Sequence, residues 1–307
     1  MRLHDGETEV DAGIVRRLLA EQFLELAGLD VHEVRSTGTV NRIFRIGGEL
    51  YARLPRTGEW AADLDREARL AAGLAPRLPL RIPEPVAMGS PAVAYPFRWA
   101  IYRWIDGEPY TDELVADEGE AAEDLAGFVT SLRAVPPGPG VPRGGRRPLA
   151  ALDERVRAEI GALRSEIDAA VALAAWSDAL AAPLWEGTPV WVHADLLRPN
   201  VLVNHGRVRA VIDFGMAGAG DPAADVIAAW TVFGRAGRVV YRAALDVDDA
   251  TWRRARGYAL FQVSGIAYYR ETNPGFAEQA GRTVREVLAE FAENNDLGGN
   301  RPCDSCV

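Results

Sequence analysis

The stretch His193-Ala-Asp195-Leu-Leu-Arg198-Pro-Asn200, followed thirteen residues later by Asp213-Phe214-Gly215, constrains this chain more than any other part of it. An aspartate on a loop can accept a hydroxyl proton, and an asparagine five residues on can turn its carbonyl oxygen to a divalent cation. A second carboxylate reaches the same cation only if the residues between double back. Residues 201–203 and 208–212 are short apolar runs joined by Asn204-His205-Gly206, which predicts a buried hairpin that makes this reversal. Hard oxygen donors suit Mg2+, which neutralises the charge of phosphate groups.

Composition removes several other chemistries. All 34 basic residues are arginine, so a lysine Schiff base and a Walker A phosphate loop are both excluded. With 48% hydrophobic and 25% charged residues the chain is an ordinary globular protein. A net charge of −10 argues against a nucleic acid polymer as partner. Residues 1–105 balance 14 arginines with 14 acids, whereas residues 106–307 hold 20 arginines and 30 acids, so the excess lies in the second part and suits a cationic partner. Its densest run, residues 106–132, reads as the solvated face of a helix. Cys303 and Cys306 offer half of a tetrahedral zinc site with no second pair, so no metal is expected there. The N-terminus lacks the apolar run of a signal peptide, and no uncharged apolar stretch approaches about 18 residues, so a cytoplasmic protein without a membrane partner is expected.

Hydrophobic spacing predicts a helix over residues 11–27, short strands over 31–54 with a hairpin at Gly47-Gly48, and a helix over 59–75. Further strands are predicted at 82–88 and 99–104. Beyond Gly107 the pattern is mainly helical: 117–134, an exposed Pro/Gly/Arg loop at 136–148, then 150–182. A strand at 190–192 and the hairpin follow, then helices at 222–234, 249–270 and 275–293. The expected organisation is α+β: an N-terminal lobe of residues 1–105, a larger helical lobe of residues 106–295, and a mobile tail of residues 296–307.

The combination H-x-D-x-x-x-x-N with D-F-G is that of phosphoryl-transfer enzymes of the protein-kinase type. Over roughly residues 30–295 the chain resembles the aminoglycoside phosphotransferase-like small-molecule kinases. The likeness is densest where Trp-Val-His-Ala-Asp-Leu, Asn-Val-Leu-Val, Val-Ile-Asp-Phe-Gly and Gly-Asp221-Pro222-Ala-Ala-Asp225 run in order. The resemblance implies a protein-kinase-like two-lobed fold with a small antiparallel sheet in the first lobe.

It also implies roles. Asp195 would deprotonate the acceptor hydroxyl, with His193 structural, while Asn200 and Asp213 would hold Mg2+ on the nucleotide phosphates. Arg198 would either meet the γ-phosphate or face solvent. Asp225 would brace the catalytic loop, substrate contact being the alternative. Arg53 stands on the strand where this fold carries a lysine, with Glu67 on the next helix as its partner. Thr37 and Gly38 lie in the loop that covers the phosphates, and the Arg103 carbonyl and Ile105 amide would read the base of ATP or GTP.

Only four residues separate Gly215 from the Gly220-Asp221-Pro222 turn, too few for a peptide-binding segment. The acceptor is therefore expected to be a small hydroxylated molecule, cationic by the acidic surplus. An aminoglycoside-type antibiotic is the first choice, implying resistance or self-protection. A macrolide, choline, homoserine or sugar kinase, or a silent nucleotide-binding module, is the alternative. Tyr268, Tyr269 and Glu271 are candidate wall residues, against helix packing for the tyrosines and a solvated Glu271.

Overall fold

A computed structural model describes residues 8–34 and 41–295. Near the N-terminus, α1 (Ala12–Gln22) is capped by the Asp11 carboxylate, which accepts from the Ile14 N–H at 2.8 Å. Strands β1 (Val31–Glu33), β2 (Asn41–Ile46), β3 (Leu50–Pro55), β4 (Pro85–Gly89) and β5 (Trp99–Arg103) form one antiparallel sheet in the order β1-β2-β3-β5-β4. Its apolar face buries Phe44, Ile46, Leu54, Trp99 and Ile101 against Val15, Leu18 and Leu19 of α1. Helix α2 (Gly58–Leu74) connects β3 to β4. The protein is thus α+β, with an antiparallel-sheet N-terminal lobe and a helical C-terminal lobe in a kinase-like arrangement.

In the helical part, β6 (Glu108–Pro109) precedes α3 (Glu118–Ala134), α4 (Asp153–Ala162) and α5 (Ala169–Leu180). Next come β7 (Val190–Val192), β8 (Val201–Asn204), β9 (Arg207–Val211) and β10 (Gly218–Gly220). The remaining elements are α6 (Ala223–Val226), α7 (Ala228–Thr231), α8 (Arg235–Leu245), α9 (Asp249–Leu260), α10 (Val263–Tyr269) and α11 (Pro274–Asn294). The core around Phe128, Trp176, Trp230, Phe233 and Tyr241 is fully enclosed.

The β8–β9 hairpin forms as the sequence predicts. His205 and Gly206 both take positive φ, +50° and +77°, as a tight turn between twisted strands requires. Arg81 donates its N–H to the Arg209 carbonyl and accepts from the Val211 N–H, each at 3.0 Å, so the chain leaving α2 is tied to this hairpin.

Several expectations are corrected. The helix predicted over 150–182 breaks at 163–168, because the Asp168 carboxylate takes the Ala170 and Val171 N–H groups and starts a new helix. The helix over 222–234 is two single turns, and that over 249–270 is interrupted at Phe261 and Gln262. Helix α8 has no counterpart in the prediction. Glu118 of α3 accepts from the Gly234 and Gly237 N–H groups at 2.5 and 2.9 Å, so its cap comes from a residue far away in sequence. The acidic run is not merely a solvated face either: Asp112 pairs with Arg198, while Glu120 and Asp124 pair with Arg207.

The loop predicted to be exposed at 136–148 is pinned along part of its length. Ala219 donates its N–H to the Pro142 carbonyl at 2.9 Å, and Gly144 donates to the Ala219 carbonyl at 3.0 Å. Glycine is needed because the backbones touch: a Cβ on Gly144 would lie 2.4 Å from the Gly218 main chain. Since β10 also pairs with β7, it links this strap to the strand that leads into His193. Gly144→Ala is expected to destabilise the fold by about 1–3 kcal/mol through overpacking, which urea unfolding would measure.

Candidate active site

The loop after β7 is shaped by a buried acid. Asp225 is 0% exposed, and its carboxylate accepts from the His193 N–H at 2.9 Å and the Ala194 N–H at 2.7 Å. That grip holds Ala194 at φ +66°, a conformation that L-residues seldom adopt unless held. His193 is equally buried. Its Nδ1 accepts from the Asp195 N–H at 3.3 Å, so Nε2 carries the proton and donates to the Ile212 carbonyl at 3.0 Å. From behind, the Thr231 hydroxyl on α7 donates to the Leu196 carbonyl at 2.5 Å. Substrate contact by Asp225 is therefore corrected: its oxygens face backbone amides, not a cleft.

Asp195 emerges from this braced loop with 24% of its side chain exposed. Asn200 donates Nδ2–H to the Asp195 Oδ2 and main-chain carbonyl, both at 2.9 Å, which leaves the Asn200 carbonyl oxygen as the group to meet a cation. Burial pushes the Asp195 carboxyl above the usual carboxylate range; Arg146 opposes this and the nearby Asp213 charge adds to it. Ile212 donates its N–H to the Asn200 main-chain carbonyl at 2.9 Å, so the hairpin delivers Asp213 beside Asn200. Asp213 takes the left-handed conformation at φ +66° and is 44% exposed.

Among the described residues no cluster of three or more His, Cys, Asp or Glu could hold a metal. The available donors are one amide oxygen and one carboxylate. That set fits Mg2+, which binds through one or two protein oxygens and fills its shell with water and phosphate.

Arg53 on β3 joins the two lobes electrostatically. Its Nη1 pairs with Glu67 Oε1 of α2, and its Nη2 lies 3.6 Å from Asp213 Oδ1. Asn41, with its amide turned so that Oδ1 faces the guanidinium, accepts from Arg53 Nε and Nη2 at 2.9 Å. Burial works against the Arg53 charge, yet Glu67 and Asp213 together raise its pKa further. At the end of β5, Arg103 is exposed and Ile105 is 6% exposed. The Ile105 amide has no backbone acceptor among the described residues, while the Trp104 N–H donates to the Glu49 carbonyl at 2.7 Å. Thr37 and Gly38 lie outside the described residues.

Arg198 is corrected. Its Nη2 pairs with Asp112 at 2.5 Å, its Nε donates to the Val232 carbonyl at 2.9 Å, and its guanidinium lies 5.1 Å from the Tyr110 ring centroid. It neither faces solvent nor is free to meet a phosphate. The arginine beside Asp195 is instead Arg146, on the pinned strap, with Nη2 3.8 Å from Asp195 Oδ1. Sequence reading missed it inside an apparently exposed loop, because the close approach of Gly144 to Gly218 exists only in the folded chain. Tyr268 is 59% exposed, so it is not core, and it stacks edge-on against Tyr269, which meets Phe276 of α11. Glu271 is exposed.

An antiparallel sheet bearing a paired arginine, above a helical lobe bearing an acid, an amide and a second acid on one loop and hairpin, defines a kinase-like phosphotransferase. Residues 32–258 match the model of the Phosphotransferase enzyme family, and the chain belongs to that family. It is accordingly a small-molecule O-phosphotransferase. No curated protein matches the chain.

Among solved structures, a mutant of aminoglycoside 2'-phosphotransferase-IIIa in complex with GDP is similar over 94% of this chain and 99% of its own, with 20% identity and a TM-score of 0.69. A GDP and kanamycin complex of APH(2")-IIIa covers 92% and 99%, with 21% identity and a TM-score of 0.67. Macrolide 2'-phosphotransferase MphH from Brachybacterium faecium covers 88% and 97%, with 23% identity and a TM-score of 0.58. Among the described residues no helix is long and apolar enough to cross a membrane.

Proposed function

We propose that this protein transfers the γ-phosphoryl group of ATP or GTP to a hydroxyl of an aminoglycoside-type antibiotic in the cytoplasm, with Mg2+. The observation that carries the reading is the hydrogen bond from Asn200 to Asp195 Oδ2, which orients the acid and, among the described residues, leaves Oδ1 without a hydrogen bond for an acceptor hydroxyl. Residues 1–105 hold the nucleotide and residues 106–295 hold the acceptor. The Arg103 carbonyl and Ile105 amide face the base, Arg53 meets the phosphates while Glu67 fixes its direction, and Asp195 takes the hydroxyl proton. Asn200 and Asp213 would hold Mg2+, whose chemistry is to neutralise phosphate charge. A GDP and kanamycin complex among the neighbours supports both the donor and the acceptor class, and the acidic surplus of residues 106–307 supports a cationic acceptor.

Two measurements test this. Purified protein incubated with labelled nucleotide and a panel of aminoglycosides and macrolides should phosphorylate an aminoglycoside; turnover confined to a neutral macrolide would reject the acceptor class. Arg53→Met should weaken nucleotide binding by roughly tenfold or more, as loss of a charge-assisted contact predicts, whereas Arg53→Lys should retain much of it. Calorimetric titration with ATP and GTP reads this directly, and unchanged affinity in Arg53→Met would remove Arg53 from the phosphate site.

A further inference from the structure

Among the described residues two arginines lie beside these acids, Arg53 near Asp213 and Arg146 near Asp195, and the first is already engaged. Arg53 is held by Glu67 and Asn41. Arg146 differs. Its side chain is only 10% exposed, yet among the described residues none of its N–H groups has a hydrogen-bond acceptor, and its Nε is wholly enclosed. The 3.8 Å to Asp195 Oδ1 is an ion pair too long for a hydrogen bond. Burial lowers the pKa of Arg146 against the pull of Asp195, Tyr258 and Asp225, although a guanidinium stays charged.

A desolvated guanidinium with its donors unmatched is costly, and here it is held in place by design of the backbone. The strap hydrogen bonds at Pro142 and Gly144 and the glycine contacts fix residues 142–144, two positions before Arg146, against β10, which in turn pairs with β7, the strand leading to the catalytic loop. Such a fork matches an oxyanion bearing two or three equivalent oxygens.

We propose that Arg146 is a catalytic residue that donates hydrogen bonds to the non-bridging oxygens of the phosphoryl group as it passes to the acceptor beside Asp195. The inference rests on the phosphotransfer reading above. In the step, the acceptor oxygen forms a bond to the γ-phosphorus as the bond from that phosphorus to the bridging oxygen breaks. The electron pair leaves with the nucleoside diphosphate, and the hydroxyl proton goes to Asp195. Arg146 meets the charge spread over the oxygens in flight, so it contributes to the transition state more than to nucleotide binding. The γ-phosphate contact that the sequence allows for Arg198 thereby falls to Arg146.

The test needs no knowledge of the acceptor: affinity for ADP with Mg2+, measured with and without aluminium fluoride, a mimic of the phosphoryl group in transfer. In the unmodified protein aluminium fluoride should tighten ADP binding by about 100-fold or more. Arg146→Met should lose at least about tenfold of that tightening and Arg146→Lys less, with affinity for ADP alone unchanged in both. Arg146→Met should also stay folded with a melting temperature close to normal, since the strap is held by backbone hydrogen bonds and not by the guanidinium; a merely structural arginine would lower it. Full tightening in Arg146→Met, no tightening in the unmodified protein although ADP binds, or a joint loss of ADP affinity and melting temperature would each overturn the role of Arg146. A protein that binds only GDP is tested with GDP in place of ADP; no binding of either diphosphate would instead overturn the phosphotransfer reading, and this inference with it.

Discussion

Asp195→Asn is expected to lower kcat for phosphoryl transfer by about 10³-fold or more while leaving nucleotide affinity within about twofold. The amide keeps the shape of the side chain and can still accept from Asn200, but it cannot take a proton from the acceptor. The same substitution is expected to raise stability at neutral pH. Burial raises the folded-state pKa of Asp195 above its unfolded value, so the unfolded chain releases that proton first as pH rises. The ionised carboxylate therefore favours unfolding above the folded pKa, and the native state is stabilised by this group only in acid. A neutral amide removes that cost, and the melting temperature at neutral pH should rise. Steady-state kinetics with thermal unfolding checks both halves; retained turnover would show that another group accepts the proton.

Asp225→Ala is expected to have the largest effect on the fold around the site. Its carboxylate takes two backbone N–H groups at 2.9 and 2.7 Å in a fully enclosed position. Hydrogen bonds to a charged acceptor contribute roughly 1.5–3 kcal/mol each, so the loss should be about 3–6 kcal/mol by urea unfolding. Without the carboxylate nothing holds Ala194 at positive φ, and the loop should relax. Catalysis then falls with stability, which separates this brace from Asp195, where catalysis falls and stability does not. An Asp225→Ala protein with normal stability and reduced acceptor affinity would instead place Asp225 on the acceptor.

The sequence made the center of the site legible for a local reason. Asp195, Asn200 and Asp213 are related by one loop and one hairpin, and the hairpin announces itself through short apolar runs and the Asn204-His205-Gly206 turn. The Arg53–Glu67 pair came from resemblance, since nothing in the intervening residues specifies that β3 and α2 face each other. Arg146 was not legible, because its burial depends on backbone pairing between residues 142–144 and 218–219 that only the folded chain brings together. The same reason hid α8, whose N-terminal cap is Glu118 on another helix. Arg198 misled in the opposite direction: its place in the motif suggests a phosphate, and Asp112, distant in sequence, captures it.

The most direct measurement is a crystal structure with a non-hydrolysable ATP or GTP analogue and Mg2+. The predicted result has the base against the Arg103 carbonyl and Ile105 amide, the cation on Asn200 and Asp213, and the terminal phosphate between Arg146 and Asp195. A nucleotide seated elsewhere, or a cation that touches neither Asn200 nor Asp213, would contradict the assignment of these residues to one phosphoryl-transfer centre.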